Sequence, residues 1–193
     1  MVGSGQRVGL FGGSFNPPHE GHVHVCELAI RQLELDWVWW LVSPGNPLKD
    51  HSELAPLPER LQACEVIITD HRMKVSAVEA GLKTSYTADT LNHITSRKPD
   101  VNFVWLMGAD NLGQFHRWER WRDIAKMMPI AVVDRPGSTM ALHNARVAQI
   151  FSHSRIDESD AAKLAVKPTP AWTFLHGPRS SLSSTAIRAA RKS

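Results

Sequence analysis

Tyrosine occurs once and cysteine twice in the 193 residues, and no apolar run approaches the length needed to span a bilayer. Each scarcity removes a class of protein. Cys26 and Cys64 lie in apolar, helix-like patterns without metal spacing, which argues against a disulfide-stapled secreted fold and for a reduced, cytoplasmic chain. Basic residues exceed acidic ones by only 22 to 19, and no long run carries one sign. That balance disfavours a nucleic-acid partner and suits a small anionic substrate. The opening "MVGSGQR" lacks the apolar segment of a leader, so neither export nor a membrane partner is expected. What is present is an apolar fraction of 42%, enough for one sizeable core, and a length that suits a single domain over 1–193.

Short, nearly all-apolar runs alternate with amphipathic ones. The runs Arg7 to Phe11, Trp37 to Val42, Met73 to Val78, Val101 to Met107, Ile130 to Asp134 and Ala171 to His176 predict strands covered on both faces, hence a parallel sheet. Helices are expected over Gly21 to Leu35, Pro58 to Thr69, Thr87 to Arg97, Arg117 to Met127 and Met140 to Ser152. The alternation predicts a doubly wound α/β domain. The connection "SPGNPLKDHSELAPLP", Ser43 to Pro58, is long for such a fold and is expected to lie over the ligand crevice at the carboxyl edge of the strands.

The stretch "GLFGGSFNPPHEGH" is the most informative. Gly12 and Gly13 fall between a strand and a helix, where the chain must turn sharply and can bring backbone N–H groups to an anion. Neither a Walker-type P-loop nor a G-x-G-x-x-G dinucleotide fingerprint is present. His19, His22, Cys26, Ala29 and Leu33 are spaced to share one helix face, which places both imidazoles at its amino-terminal end. Three readings stay open. The plainest is a βα turn with one capping and one core histidine. A zinc site is the second, though His22 and His24 would face apart on a helix and no H-E-x-x-H occurs. The third is phosphate chemistry, with a helix amino terminus and two N–H donors stabilising charge that grows on a phosphorus.

"GGSFNPPHEGH" resembles the G-G-[ST]-F-[DN]-P-x-H-x-G-H signature of the nucleotidylyltransferase superfamily, and further stretches are similar to its bacterial nicotinate-nucleotide adenylyltransferase branch. These are "SPGNPLKD", "SYTADTL", "MGADNLGQFHRW", "VVDRPG" and "SLSSTAIR", in the expected order. Two departures are small: the usual P-P-H-K has become Pro47-Leu48-Lys49, and Leu182 replaces an isoleucine. The resemblance implies a Rossmann-like nucleotidyltransferase fold and transfer of the adenylyl group of ATP to nicotinate mononucleotide. The products would be deamido-NAD and pyrophosphate. Rival acceptors within the superfamily are nicotinamide mononucleotide and phosphopantetheine, and a non-catalytic nucleotide-binding module is the rival from another class.

By the same resemblance, His19, His22 and Arg188 are the catalytic residues. Gly12, Gly13, Ser14, Phe15, Gly108, Asp110, Ser183, Ser184 and Thr185 join them around ATP. Asn16, Asn46, Lys49, Thr87, Asp110, Trp118 and Glu119 are implied to bind the mononucleotide, with Trp118 as a platform under the pyridine ring. Backbone N–H groups near Thr87 and Glu119 would meet its carboxylate, and Asp110 would accept from a ribose hydroxyl. Mg²⁺ is implied with ATP, held through substrate phosphates and without a protein metal site. Trp121 and the tryptophans at 37, 39, 40, 105 and 172 read as packing. A monomer or small homo-oligomer is expected.

Overall fold

Among the described residues six parallel strands form one sheet, ordered across it as the third, second, first, fourth, fifth and sixth in the chain. The computed structural model describes residues 2–45, 54–82, 84, 86–134, 145–177, 184 and 187–188. The strands are β1 (Arg7–Gly13), β2 (Trp37–Val42), β3 (Met73–Ser76), β4 (Asn102–Gly108), β5 (Ile130–Val133) and β6 (Trp172–Leu175). The helices are α1 (Glu20–Leu33), α2 (Leu57–Ile67), α3 (Val78–Leu82), α4 (Thr87–Arg97), α5 (Ala109–Leu112), α6 (Trp121–Met127) and α7 (Arg146–Ile150). Among the described residues no helix is long and apolar enough to cross a membrane.

The continuous apolar strands are explained by a core on each face of the sheet. On one face Phe11, Trp40, Val104, Leu106 and Val133 meet α1 and a 3₁₀ helix, Glu158–Val166, that supplies Ala161, Leu164 and Ala165. On the other, Leu10, Leu41, Trp105, Met107 and Phe174 meet α4, α5 and α6 through Leu91, Leu112 and Ile124. Side chains alternate between faces along each strand, so Leu10 and Phe11 serve different cores. Cys26 and Cys64 are buried, and Trp40, Trp105, Trp121 and Trp172 are core, as the apolar patterns imply.

All six expected strands are present, while several boundaries move. The third stops at Ser76, and α3 follows where the expected strand ran on to Val78. The helix expected over Arg117 to Met127 is two pieces. A 3₁₀ turn, Phe115–Arg117, ends at the extended Trp118, and Arg120 adopts a left-handed conformation at φ 51° before α6 begins. Trp118 and Trp121 therefore do not share a helix. The reason is packing: the break lets Phe115, Trp118 and Trp121 form an edge-to-face cluster, with Trp118 also against Trp105. Of the helix expected over Met140 to Ser152, the described part is α7 followed by a 3₁₀ turn, Ser152–Ser154.

Candidate active site

The strand order reverses direction at β1 and β4, and a crevice outside their carboxyl ends is where such sheets bind ligands. β1 ends in Gly12 and Gly13, and β4 ends in Gly108. Both glycines of the first pair lie inside the strand, paired with Leu41 and Val42, so the turn begins at Ser14. Gly12 is required by a close approach: a Cβ there would lie 2.5 Å from Cη2 of Trp105. The indole that closes off Gly12 also meets the Trp118 ring, with centroids 6.1 Å apart. One buried tryptophan thus supports both walls of the crevice.

Beyond the turn, His19 is the N-cap of α1 and is 4% exposed. Its Nδ1 accepts from the Gly21 N–H at 3.1 Å, and Nδ1 of His22 accepts from the His19 N–H at 3.1 Å. This is a capping box in which both side chains are imidazoles. The rings lie 3.8 Å apart between centroids. An Nδ1 that accepts from the backbone must be unprotonated, so the proton of each neutral ring is on Nε2, and each ring is a fixed N–H donor. The capping reading and the phosphate reading are therefore compatible: the cap sets the tautomer that phosphate binding needs.

Phe15 holds a left-handed φ of 46°, and its side chain, 2% exposed, stacks on Trp40 and meets the edge of His22. Only its backbone can face a nucleotide, and its ring instead buttresses His22. Asn16 is buried, with its Oδ1 accepting from Ala55 N–H at 3.2 Å and its carbonyl accepting from Arg188 Nη1 at 2.5 Å. Ser184 donates its hydroxyl to the Pro17 carbonyl at 2.9 Å. The carboxyl-terminal Ser184 and Arg188, both helical, are thereby brought onto the turn that carries His19. Ser183 and Thr185 lie outside the described residues, as do Asn46 and Lys49.

On the other wall, Thr87 is the first residue of α4, whose N-cap Tyr86 provides no side-chain cap. Trp118 is half-buried and Glu119 exposed in the turn before α6, and Asp110 is exposed in the first turn of α5. An ion pair between Asp89 and Arg120 ties the first turn of α4 to the Trp118–Arg120 turn.

Two buried polar residues of this region escape the motif reading. Arg60, 2% exposed, donates to four backbone carbonyls around the crevice. Its signal was available, since Arg60 falls on the stripe formed by Leu57, Leu61, Cys64 and Ile67 on α2. Glu79 is 5% exposed, and burial pushes its carboxyl up while the Ser43 and Thr90 hydroxyls pull it back.

A family model described as cytidylyltransferase-like matches residues 10–190. A probable nicotinate-nucleotide adenylyltransferase of Brucella abortus (strain 2308) is 63% identical over 181 residues, covering 94% of this chain and 93% of the relative. One of the same description from Methylorubrum extorquens (strain PA1) is 59% identical over 182 residues, covering 94% and 98%. Among solved structures, Plasmodium falciparum nicotinic acid mononucleotide adenylyltransferase complexed with NaAD superposes with a TM-score of 0.72 at 18% identity, covering 95% of this chain and 83% of that one. The chain belongs to the cytidylyltransferase-like family and, within it, to the nicotinate-nucleotide adenylyltransferases.

Proposed function

We propose that the protein transfers the adenylyl group of ATP to nicotinate mononucleotide, releasing pyrophosphate and forming deamido-NAD. The observation that carries the chemistry is the double-imidazole cap at the sheet's switch point. In the reaction a phosphate oxygen of the mononucleotide attacks the α-phosphorus of ATP, and the bond from that phosphorus to the pyrophosphate oxygen breaks. No protein nucleophile is needed, so the protein contributes alignment and charge stabilisation. His19 and His22 direct their Nε2–H groups at the phosphate oxygens that gain charge, and the amino terminus of α1 adds its dipole. Gly12, Gly13, Ser14 and the Phe15 backbone shape the turn around the nucleotide, with Gly108 and Asp110 across the crevice. Ser183, Ser184, Thr185 and Arg188 take the β- and γ-phosphates, for which a guanidinium and helix-start hydroxyls are suited.

On the acceptor side Trp118 stacks on the pyridine ring, backbone N–H groups at Thr87 and Glu119 meet its carboxylate, and Asp110 accepts from a ribose hydroxyl. Asn16, Asn46 and Lys49 complete the acceptor site. Among the described residues no three His, Cys, Asp or Glu side chains cluster as a metal site would. Magnesium held by the phosphate oxygens of ATP would neutralise part of the triphosphate's charge. One domain over 1–193, acting in the cytoplasm as a monomer or small homo-oligomer, completes the proposal.

The test is pyrophosphate release by the purified protein given MgATP and, in separate reactions, nicotinate mononucleotide, nicotinamide mononucleotide and phosphopantetheine. Release with the first at the highest kcat/KM is expected. A preference for phosphopantetheine would reassign the acceptor, and ATP binding without release would leave a nucleotide-binding module.

A further inference from the structure

Arg60 is a buried cation whose hydrogen bonds among the described residues all end on uncharged carbonyls. Its Nε donates to Ala55 O at 2.8 Å, its Nη1 to Ser14 O at 2.7 Å and Ser43 O at 2.6 Å, and its Nη2 to Pro44 O at 3.2 Å. Burying a guanidinium without a carboxylate is unfavourable, and an apolar residue would suit this stripe of α2 better if packing were the only requirement. The four carbonyls belong to three segments that α2 alone could not gather: the turn after β1, the exit of β2, and the chain leading into α2. Ser14 is in the turn that continues to His19. Ser43 also donates its N–H to Gly13 O at 2.9 Å, and Ala55 donates its N–H to Asn16 Oδ1. The guanidinium is therefore a rigid spacer between the phosphate turn and the ends of the connection Ser43 to Pro56.

We propose that Arg60 is a positioning residue for adenylyl transfer, fixing the separation of the phosphate-binding turn from the acceptor-side connection so that the attacking phosphate and the α-phosphorus align. The inference rests on the adenylyl-transfer reading above. Arg60 is buried, so it would act on the substrates through the backbone of Ser14 and Ser43 and not by contact. Only arginine presents enough donors in one plane to span four carbonyls, since a lysine has three donors around a single point.

Arg60→Lys and Arg60→Ala, assayed beside wild type at a temperature where circular dichroism shows each fully folded, separate positioning from mere support. Misalignment by about 1 Å can cost on the order of 10²-fold in rate, and a fall of that order in kcat is expected for Arg60→Ala. The lysine variant should fall between, and the two Michaelis constants should shift by similar factors because neither substrate is contacted. Guanidinium ion at millimolar concentration should restore part of the lost kcat to the alanine variant, and methylammonium should not. If the alanine variant does not fold, the lysine variant carries the kcat comparison alone. A folded variant with wild-type kcat and a lowered Tm overturns the inference, leaving Arg60 as structural support only. A wild type that releases no pyrophosphate removes the adenylyl-transfer reading and this inference together, whereas an active wild type beside an equally active variant removes this one alone.

Discussion

A histidine that caps a helix has given one ring nitrogen to the backbone, and the other must carry the proton if the ring is neutral. That constraint makes His22 more than a nearby base, because its Nδ1 is committed to His19 N–H. His22→Ala is expected to lower kcat by roughly 10²-fold, the scale of losing a preorganised donor to developing charge. It also removes half of a capping box, so a stability loss of about 1 kcal/mol should accompany it. His22→Glu separates the two effects, since glutamate at this position is the usual capping-box partner. Thermal unfolding of His22→Glu should match wild type while its activity falls below that of the alanine variant, because a carboxylate repels the triphosphate. Retention of activity in either variant would remove His22 from the mechanism. Glu79 makes a different residue-scale case. Burial raises its carboxyl, so the folded state favours the protonated form and pays a penalty that develops as pH rises through the unfolded value, about 4.3, toward the higher folded one. Glu79→Gln should therefore be more stable than wild type in urea at pH 7, with the gain vanishing below about pH 4. No gain at pH 7 would mean that Ser43 and Thr90 compensate the charge fully. The histidines were legible in the sequence because residue type and spacing together name a helix start and a chemistry. Of Arg60 the sequence offers only a charge on the apolar stripe of α2, and of Glu79 no such mark, because their partners are backbone carbonyls and hydroxyls that only the folded chain brings near.

At the scale of elements, strands were readable and helices less so. A strand buried on both faces is a solid apolar block, and β2 was delimited to the residue by Trp37 and Val42. Short helices carry too little period to be seen: α5 has four residues, and the 3₁₀ helix Glu158–Val166 repeats nearer to three than to 3.6. The Phe115–Arg120 break has no glycine or proline to announce it; Arg120 takes a left-handed conformation because the aromatic cluster around Trp118 requires the turn. The carboxyl-terminal helical residues matter through what they rest on. Ser184 holds the Pro17 carbonyl and Arg188 the Asn16 carbonyl, so they are attached to the same turn that leads into His19. In the proposed site a planar guanidinium fork would meet the departing end of ATP through directed N–H groups, which an ammonium would replace with only a point of charge. Arg188→Lys should raise the KM for ATP while leaving that for the mononucleotide nearly unchanged, measured by varying each substrate at saturation of the other. A rise confined to the mononucleotide would place Arg188 on the acceptor phosphate.

Across the whole molecule, the strand order puts the end of β1 beside the end of β4, and the Trp105 indole is packed under Gly12 on one side and against Trp118 on the other. The turn that leads to His19 and the wall that carries Trp118 are thus referenced to one rigid ring, and in the proposed acceptor site the pyridine substituent would fall between the first turn of α4 and the turn before α6. Backbone N–H groups at Thr87 and Glu119 would there suit a carboxylate, which only accepts, and would oppose the NH₂ of an amide with further donors. Each unmatched buried donor costs on the order of 1–3 kcal/mol, so two such contacts give a preference for nicotinate over nicotinamide mononucleotide of roughly 10²-fold or more. One charge works against this. Asp89 lies in that same first turn of α4, where its carboxylate would repel the substrate's own, and Arg120 pairs with it. Both partners are half exposed, and such pairs are worth about 0.2–1 kcal/mol, so the neutralisation is a modest trim on a main-chain preference. Arg120→Gln should therefore reduce the acid-to-amide ratio of kcat/KM by up to about fivefold without inverting it, and Asp89→Asn in the same background should restore the ratio. Measuring kcat/KM for both mononucleotides at one ATP concentration, in wild type and the two variants, decides each part. Equal values in wild type would refute the main-chain account, and an unchanged ratio in Arg120→Gln would show that the Asp89 charge does not reach the acceptor.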